Sequence, residues 1–353
     1  MKRVYLDHNA TTPLRAPARD AMIAAMDAIG NPSSVHGEGR TAKAIVERAR
    51  GQVAAAFGVG GNDIIFTASA TEAAALALAG RGAVAADIEH DAVAAWVAPT
   101  LGLQDGQIQV DDPTMAAVQW ANSETGIIQT PAQGLLFSDM TQAFGKIPLS
   151  FEWSGATMAC ASAHKVGGPK GVGCLIVKRG TQVDAQLRGG GQEMGRRAGT
   201  ENIIGIAGFG AAAQAAADDL DAGRWAQVKK LRKILENRLE ESAKHIILVG
   251  KDHMRLPNTI CFAAPGWKGE TQVMQMDLAG FAISAGSACS SGKVKSSRVL
   301  QAMGYDDVVA SSAVRVSLGL DTTEQDVMRF ADAWLAAYDK YLVRHGDPRN
   351  VPA

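Results

Sequence analysis

Lys165 occupies a position where Schiff-base chemistry could occur. It follows an apolar run, 157–161, and lies within a glycine-rich segment, 162–173. A lysine between a buried strand and a glycine-rich loop can lose hydration, which favours its neutral, nucleophilic amine. A solvated loop lysine, such as Lys170 in the same segment, gives the same local pattern, so both interpretations stay open at this point.

Other polar residues follow apolar runs that we expect to be strands. Asp139 follows 135–138, His90 follows 83–88, the turn of Asn122, Ser123 and Glu124 follows 115–120, and Ser162 and His164 follow 157–161. A polar residue at a strand end is most often a cap or turn residue. Because the carboxyl ends of parallel strands meet at one edge of a sheet, these positions together predict a shared site there.

The turn 67–72 opens a predicted helix with small residues and exposed backbone N–H groups. Such a turn, together with the helix dipole, can hold a phosphate. An ordinary threonine N-cap would have the same sequence. Neither a GxxxxGK[ST] nor a GxGxxG motif accompanies the turn, so a nucleotide is not indicated.

Cys289 differs from the other cysteines. It lies in a Gly/Ser-rich segment, 284–292, followed by Lys293 and Lys295. An exposed, electropositive loop favours the reactive thiolate, although an incidental surface cysteine would fit the segment too. We expect the remaining three cysteines, which lie in apolar runs, to be small buried hydrophobic residues: Cys160, Cys174 and Cys261. The spacing of the four contains no zinc-like pattern, so we expect no metal site.

Composition and charge exclude several classes of protein. At about 150 residues per domain, 353 residues correspond to two or three domains. The net charge of −1 gives no attraction to nucleic acid or an anionic membrane. The uncharged stretch 202–217 is too short and too rich in Gly and Ala to span a bilayer. Asp7 precedes any apolar region, so we expect no signal peptide, and the cysteine pattern favours a reducing cytoplasm.

Hydrophobic periodicity predicts the elements that position these residues. A three/four-spaced apolar stripe predicts a helix over 39–57, followed by a strand at 64–67 and a helix from about Thr71. Short apolar runs follow at 83–86, 115–120, 135–138, 157–161 and 173–177. Strands alternating with helices predict an α/β fold with a largely parallel sheet.

The pattern changes after about Asp218. A long amphipathic helix over 225–245 precedes strand-like segments at 246–249 and 258–263, and two closing helices follow a Gly/Ser-rich stretch. We therefore expect a large domain, 13–222, and a smaller α+β domain formed by 1–12 and 223–353.

Taken together, these motifs resemble those of the pyridoxal-phosphate (PLP)-dependent cysteine desulfurases, the NifS/IscS-like branch of the class V aminotransferase group. The matching segments run in order along nearly the whole chain: 5–13, 31–36, 71–72, 138–142, 162–165, 197–202, 286–291 and 314–319. The resemblance implies PLP-dependent transferase fold type I, in which a large domain with a mainly parallel, helix-flanked sheet carries a smaller α+β domain.

The resemblance also implies roles for individual residues. The catalytic residues would be Lys165, which holds the cofactor and moves protons; His90, which stacks on the cofactor ring; and Cys289, which takes the sulfur of bound cysteine as a persulfide. Ten residues would contact the cofactor, with Thr200 coming from the neighbouring subunit: Ala70, Thr71, His90, Ser123, Asp139, Gln142, Ser162, His164, Lys165 and Thr200. Asn31, Asn122 and Arg315 would bind substrate, Arg315 through the substrate carboxylate.

The implied activity is the conversion of L-cysteine to L-alanine, with sulfur passed on for iron–sulfur cluster or thio-cofactor assembly. The implied partners are a second copy of the chain in a homodimer and a sulfur-acceptor or scaffold protein. The alternatives are a selenocysteine lyase, another PLP-dependent β-eliminase, or a catalytically idle, partner-binding homologue. Cys289 argues against the eliminases. The joint presence of five residues argues against an idle homologue: Lys165, Asp139, His90, Arg315 and Cys289.

The sequence departs from the family pattern in three places. Ser123 stands where the family commonly has asparagine, so its contact with cofactor or substrate is less direct. The segment 90–123 is shorter than in family members, which predicts a trimmed helix beside the sheet. The tail after Arg315 is also short, which puts in doubt any scaffold-docking role of that tail.

Overall fold

The computed structural model describes residues 3–60, 63–130, 132–286 and 296–345. The chain divides into two compact units. The large unit comprises Thr11–Ala121 and Gln129–Ala222, and the small unit comprises Met1–Ala10, Asn122–Ile128 and Gly223–Ala353. Cys289 of the small unit lies outside the described residues.

The secondary structure alternates along the chain as the periodicity predicts. The strands are β1 (Val4–Tyr5), β2 (Ile64–Thr67), β3 (Leu103–Gln104), β4 (Gln107–Ile108), β5 (Phe137–Asp139), β6 (Met158–Ser162), β7 (Gly173–Val177), β8 (Ile247–Leu248), β9 (Thr259–Ala263), β10 (Phe281–Ala282), β11 (Ser284–Ala285) and β12 (Ala313–Ser317). The α-helices are α1 (Ala16–Met26), α2 (Gly37–Phe57), α3 (Ala70–Leu78), α4 (Asp91–Ala94), α5 (Phe151–Ser154), α6 (Ile203–Asp221), α7 (Arg224–Ser242), α8 (Gly269–Leu278), α9 (Arg298–Ala302), α10 (Asp307–Ser312) and α11 (Glu324–His345). Short 3₁₀ helices include Pro113–Met115, Ala163–Lys165 and Gln192–Gly195.

The large unit is built on a sheet with the strand order β2-β7-β6-β5. Strands β5 and β6 are parallel, whereas β7 is antiparallel to both β6 and β2. Consequently β2, β5 and β6 all end at the same edge, the edge at which β7 begins. The strands are almost wholly buried because helices cover the sheet, and side chains such as Ile65, Phe137 and Leu175 form its core.

Two apolar runs expected to be strands contribute single bridges instead. In 83–86, Val84 bridges in parallel to Ala98 and Ala116, and in 115–120, Ala117 bridges in parallel to Phe137. These runs continue the sheet beyond β5 without forming a full ladder. Helix α2 agrees with the predicted stripe and ends at Gly58, whose left-handed φ of 65° terminates it.

The small unit contains an antiparallel sheet with the order β11-β12-β9-β8 and a parallel pair, β1 and β10. Helices α7 and α11 cover an aromatic core that includes Phe262, Trp267, Trp334 and Tyr338. Helix α7 ends three residues before the predicted limit at 245, and the described part of the chain closes with three helices, α9, α10 and α11, rather than two.

The loop 122–128 belongs to the small unit, although the expected large domain included it. Ile127 bridges to Arg255, the Ile128 N–H donates to the Met254 carbonyl, and the Leu256 N–H donates to the Gly126 carbonyl. These backbone hydrogen bonds attach the loop to the segment that precedes β9.

Candidate active site

The Lys165 turn lies at the sheet edge where β6 ends. Ser162 is the last residue of β6, and the 3₁₀ turn Ala163–Lys165 follows it directly. Two hydrogen bonds from Thr12 hold this turn: its N–H donates to the His164 carbonyl at 2.9 Å and its hydroxyl to the Lys165 carbonyl at 3.0 Å. The backbone that carries the lysine is therefore fixed by the N-terminal segment of the large unit.

Asp139 ends β5, next to β6, where it pairs in register with Cys160. Its Oδ1 accepts a hydrogen bond from the Thr141 N–H at 2.9 Å and from the Cys160 thiol at 3.6 Å. Burial, together with the charge of Asp139, raises the pKa of the Cys160 thiol well above its ordinary value, so the sulfur stays protonated and can donate. The carboxylate is thus held at the strand end by two donors to one oxygen.

The turn after β2 forms a capping box at the start of α3. Ser69 is the N-cap of α3: its hydroxyl accepts from the Glu72 N–H, and a Glu72 carboxylate oxygen accepts from the Ala68 N–H. The cap is therefore serine rather than the threonine that the sequence suggested. A Cβ on Gly173 would lie 2.8 Å from the Ala70 nitrogen, so only glycine lets β7 approach the first turn of α3 so closely.

His164 lies in a cationic environment. Burial, followed by the positive charges of Lys165, Lys170 and Lys146, lowers the pKa of its imidazole to about 4. Its Nδ1 lies 3.2 Å from the Thr11 hydroxyl. The side chain is therefore neutral near pH 7, surrounded by lysines that favour a bound anion.

His90 is the N-cap of the short helix α4. Its Nδ1 accepts a hydrogen bond from the Ala92 N–H at 3.1 Å. Because an accepting ring nitrogen carries no proton, the neutral imidazole is protonated on Nε2. The cap thus selects the tautomer and leaves Nε2 as the donating nitrogen.

Arg315 forms the centre of a separate group in the small unit. It lies on β12, its side chain is only 7% exposed, and its Nη2 donates to Asp7 Oδ1 at 2.7 Å. Its Nη1 donates to the Ser123 carbonyl at 3.1 Å, and within the described residues its buried Nε has no hydrogen-bond partner. A guanidinium with an unsatisfied buried donor is suited to bind a carboxylate.

The turn beside Arg315 is organised by Asn122. The Asn122 Oδ1 accepts from the Glu124 and Thr125 N–H groups, each at 2.9 Å, and from the Thr125 hydroxyl at 3.2 Å. This turn presents the Ser123 carbonyl to both Arg315 and the Asn9 amide. Ser123 thus makes this contact through its backbone carbonyl. The contact does not depend on the side chain, which is where the sequence departs from the family pattern.

The structure places other predicted site residues as follows. Asn31 lies on an exposed turn, where its Oδ1 accepts from the Ser33 N–H. Thr71 and Thr200 are exposed residues of the large unit, and Thr200 lines a cleft of about 210 Å³ with Arg197. Cys160, Cys174 and Cys261 are buried, as predicted, whereas Cys289 lies outside the described residues.

Sequence reasoning missed several residues that hold the site together. Asp7 and Thr12 belong to a motif that the sequence singled out, but no role was attached to either side chain. The apolar run around Cys160 predicts only a small buried thiol, and the sequence assigns no role to Lys146. The sequence carries no local signal for Lys146, because the burial that distinguishes it exists only in the folded chain.

Comparison with known proteins identifies the family to which the chain belongs. The chain matches the family Aminotransferase class-V over residues 4–100 and 86–330. It is 36% identical to a cysteine desulfurase of Enterobacter agglomerans, the match covering 93% of this chain and 90% of that protein. It is 40% identical to a cysteine desulfurase of a Frankia species, with the same coverage of each chain.

A solved structure shares the fold. The NifS-like protein from Rickettsia africae superimposes with a TM-score of 0.85 at 30% identity, covering 96% of this chain and 99% of that one. The predicted fold type, enzyme class and PLP dependence are thereby confirmed. The chain belongs to the class V aminotransferase family, among the PLP-dependent cysteine desulfurases of the NifS/IscS-like branch.

Proposed function

We propose that this protein converts L-cysteine to L-alanine and passes the sulfur, as a persulfide on Cys289, to an acceptor for iron–sulfur cluster or thio-cofactor assembly. The observation that carries the proposal is the match over 93% of the chain to relatives named cysteine desulfurase. The residues that carry the chemistry from Lys165 to Arg315 lie within 4–330, the part of the chain that the class V aminotransferase family matches.

The residues of the large unit fit PLP on three grounds. The close approach of Gly173 to the start of α3 leaves a backbone cradle suited to a phosphate. The lysines that act on His164 give this region the positive charge that a phosphate requires. Asp139, held at the end of β5, supplies a carboxylate that can keep a pyridine nitrogen protonated.

Bound PLP supplies an electron sink for the substrate carbon that loses a proton. Lys165 would hold the cofactor through its amine and, once released, carry the proton at Nζ. Asp139 would stabilise the positive charge on the ring nitrogen. His90, with its proton on Nε2, would pack on the ring and exchange a proton with substrate, and the bond from Ala92 keeps it in that tautomer.

Arg315 would bind the substrate carboxylate. Its Nη1 and Nη2 are anchored by the Ser123 carbonyl and by Asp7, so the guanidinium plane is fixed before substrate arrives. The buried Nε then gains the hydrogen bond that it lacks within the described residues. Pre-orientation of this kind lowers the entropy cost of placing the amino acid.

The sulfur-transfer step would take place at Cys289. Its thiolate attacks the sulfur of bound cysteine, so that a sulfur–sulfur bond forms and the bond from sulfur to the substrate β-carbon breaks. The electron pair of the broken bond stays on carbon and takes a proton, which completes the methyl group of alanine. The substrate sulfur is oxidised as the carbon is reduced, and the persulfide then passes its outer sulfur to an acceptor thiol.

We further propose a cytoplasmic homodimer in which each subunit lends Thr200 to the phosphate site of the other. The exposure of Thr200 beside a cleft supports this, because the side chain is accessible to a second subunit. The free thiols of Cys160, Cys174 and Cys261 suit a reducing compartment. Within the residues that the structure describes, no helix is long and apolar enough to cross a membrane.

The proposal is tested with Cys289→Ser. The variant retains the cofactor lysine and the carboxylate clamp, so it should stay yellow and shift its visible spectrum when cysteine is added. It should form almost no alanine or sulfide, because serine is a far weaker nucleophile toward sulfur. Cys174→Ala, which removes a buried thiol whose pKa burial raises, should desulfurate like the wild type.

Two outcomes would contradict the proposal. Desulfuration by Cys289→Ser at near wild-type rate would show that this thiol does not accept the sulfur and would favour a β-eliminase. A colourless wild-type protein that cannot take up PLP would exclude the whole mechanism.

A further inference from the structure

Lys146 is a buried lysine next to a predicted cofactor ligand. Only 3% of its surface is exposed, and its Nζ donates a hydrogen bond to Gln142 Oε1 at 2.8 Å. Gln142 is itself buried, four residues earlier in the turn that follows β5. Burying an ammonium group is costly, so a lysine in this position needs a compensating interaction or function.

The contact determines which way the Gln142 amide points. A lysine ammonium has three donors and no acceptor, so the atom that faces it must be the amide oxygen. The amide nitrogen is therefore at the other end of the group, where it can only donate.

Close packing fixes the turn that carries Lys146. Gly145 has a left-handed φ of 70°, and a Cβ there would lie 2.8 Å from the Ala216 Cβ and 3.0 Å from the Val166 Cγ1. The preceding residue, Phe144, stacks on Phe57 with ring centroids 3.8 Å apart. The turn that carries the lysine thus packs closely against Val166, the residue that follows Lys165, and against helix α6.

We propose that Lys146 is a positioning residue, which orients Gln142 so that its amide nitrogen donates to the ring oxygen of the cofactor and selects the ionised form of that oxygen. The inference rests on the proposed function. A hydrogen-bond donor at this point favours the deprotonated ring oxygen, which can only accept a hydrogen bond. The positive charge of the nearby Lys146 ammonium favours the negative charge of that form. The charge of Lys146 also acts on His164, which places it within electrostatic range of the phosphate-binding residues.

Equilibrium binding to the apoprotein tests the inference, with PLP and deoxypyridoxal phosphate, which lacks the ring hydroxyl, as probes. Wild-type apoprotein should prefer PLP over the deoxy analogue by roughly tenfold or more, the value of a hydrogen bond to a charged acceptor. Lys146→Met should lose most of this preference, because the variant should bind PLP more weakly while its binding of the analogue changes little. Lys170→Met, which removes an exposed lysine that also acts on His164, is the matched control and should keep the preference.

Gln142→Glu provides a second test that keeps a partner for Lys146. The carboxylate can still accept from the ammonium but has no donor to offer, so the preference for PLP should disappear although the buried pair remains. Lys146→Met and Gln142→Glu combined should lose no more of the preference than either alone, because the two residues act on the same ligand atom.

If Lys146→Met weakens the binding of PLP and of the analogue equally, Lys146 has a purely structural role and the inference is wrong. A preference for PLP that persists in Gln142→Glu would also overturn the inference. A wild-type protein that binds PLP without preferring it to the analogue would overturn the inference and leave the desulfurase proposal intact. Failure to bind either probe would overturn both.

Discussion

Replacing Asp7 by asparagine should destabilise the small unit by about 2 kcal/mol. Asp7 is the negative partner of Arg315, with the Arg315 Nη2 2.7 Å from Oδ1, and its Oδ2 accepts from the Ser284 hydroxyl at 2.8 Å. Side-chain exposure is 7% for Arg315 and 16% for Asp7, so the charges are poorly screened. Removing one partner of a fully buried ion pair costs about 3–5 kcal/mol. Asparagine keeps an acceptor for Arg315, and Asp7 is partly solvated, so we expect the lower figure.

Amide hydrogen exchange measures the loss where it occurs. A decrease of about 2 kcal/mol corresponds to roughly 30-fold lower protection of the amides in β12, which carries Arg315. The matched control is Asp277→Asn, because Asp277 pairs with Arg3 in the same unit but both side chains are more than half exposed. An exposed pair contributes at most about 1 kcal/mol, so this variant should change protection much less.

Equal loss of protection in β12 from Asp7→Asn and from Asp277→Asn would contradict this expectation. That result would mean that burial adds nothing to the Asp7–Arg315 interaction and that the buried Arg315 charge needs no counter-charge. The idea that Asp7 holds the guanidinium ready for a substrate carboxylate would then lose its energetic basis.

The remaining predictions concern the residues around the cofactor. Borohydride reduction and peptide mapping should place the pyridoxyl group on Lys165, and finding it on Lys170 would contradict the assignment. Thr200→Ala should weaken PLP binding by about 0.5–1.5 kcal/mol, the value of a neutral hydrogen bond. Light scattering should give twice the subunit mass of 36.9 kDa, and an active species at the subunit mass would refute the dimer. The pKa of His164 is about 4 in the folded apoprotein against 6.5 for an ordinary histidine, so the unfolded chain binds more protons between these values. Apoprotein stability should therefore fall as the pH is lowered from 6.5 towards 4, and urea titrations should show a shallower fall in His164→Gln; an unchanged slope would argue against a depressed pKa.

The features that sequence predicted well are those set by local pattern. The apolar stripe over 39–57 matches α2, and the apolar runs around 64–67 and 173–177 match β2 and β7. Asp139 and the Lys165 turn lie at strand ends on one edge of the sheet, as the apolar runs before them predict, whereas the antiparallel direction of β7 was not predicted. The runs 83–86 and 115–120 have the same apolar composition but form single bridges, and composition does not encode how long a ladder extends.

The features that sequence could not predict are pairings between distant segments. Asp7 and Arg315 are 308 residues apart, and each alone looks like an ordinary charged residue beside an apolar run. Ser123 acts through its backbone carbonyl oxygen, which every residue has, so the identity of its side chain does not predict this contact. Lys146 is closer to its partner, but an i,i+4 pair of lysine and glutamine is common on solvated helices; only its burial distinguishes it. In each case the missing information is the environment, which exists only once the chain has folded. Family motifs therefore located the groups expected to react, whereas the structure was needed to identify the residues that hold them.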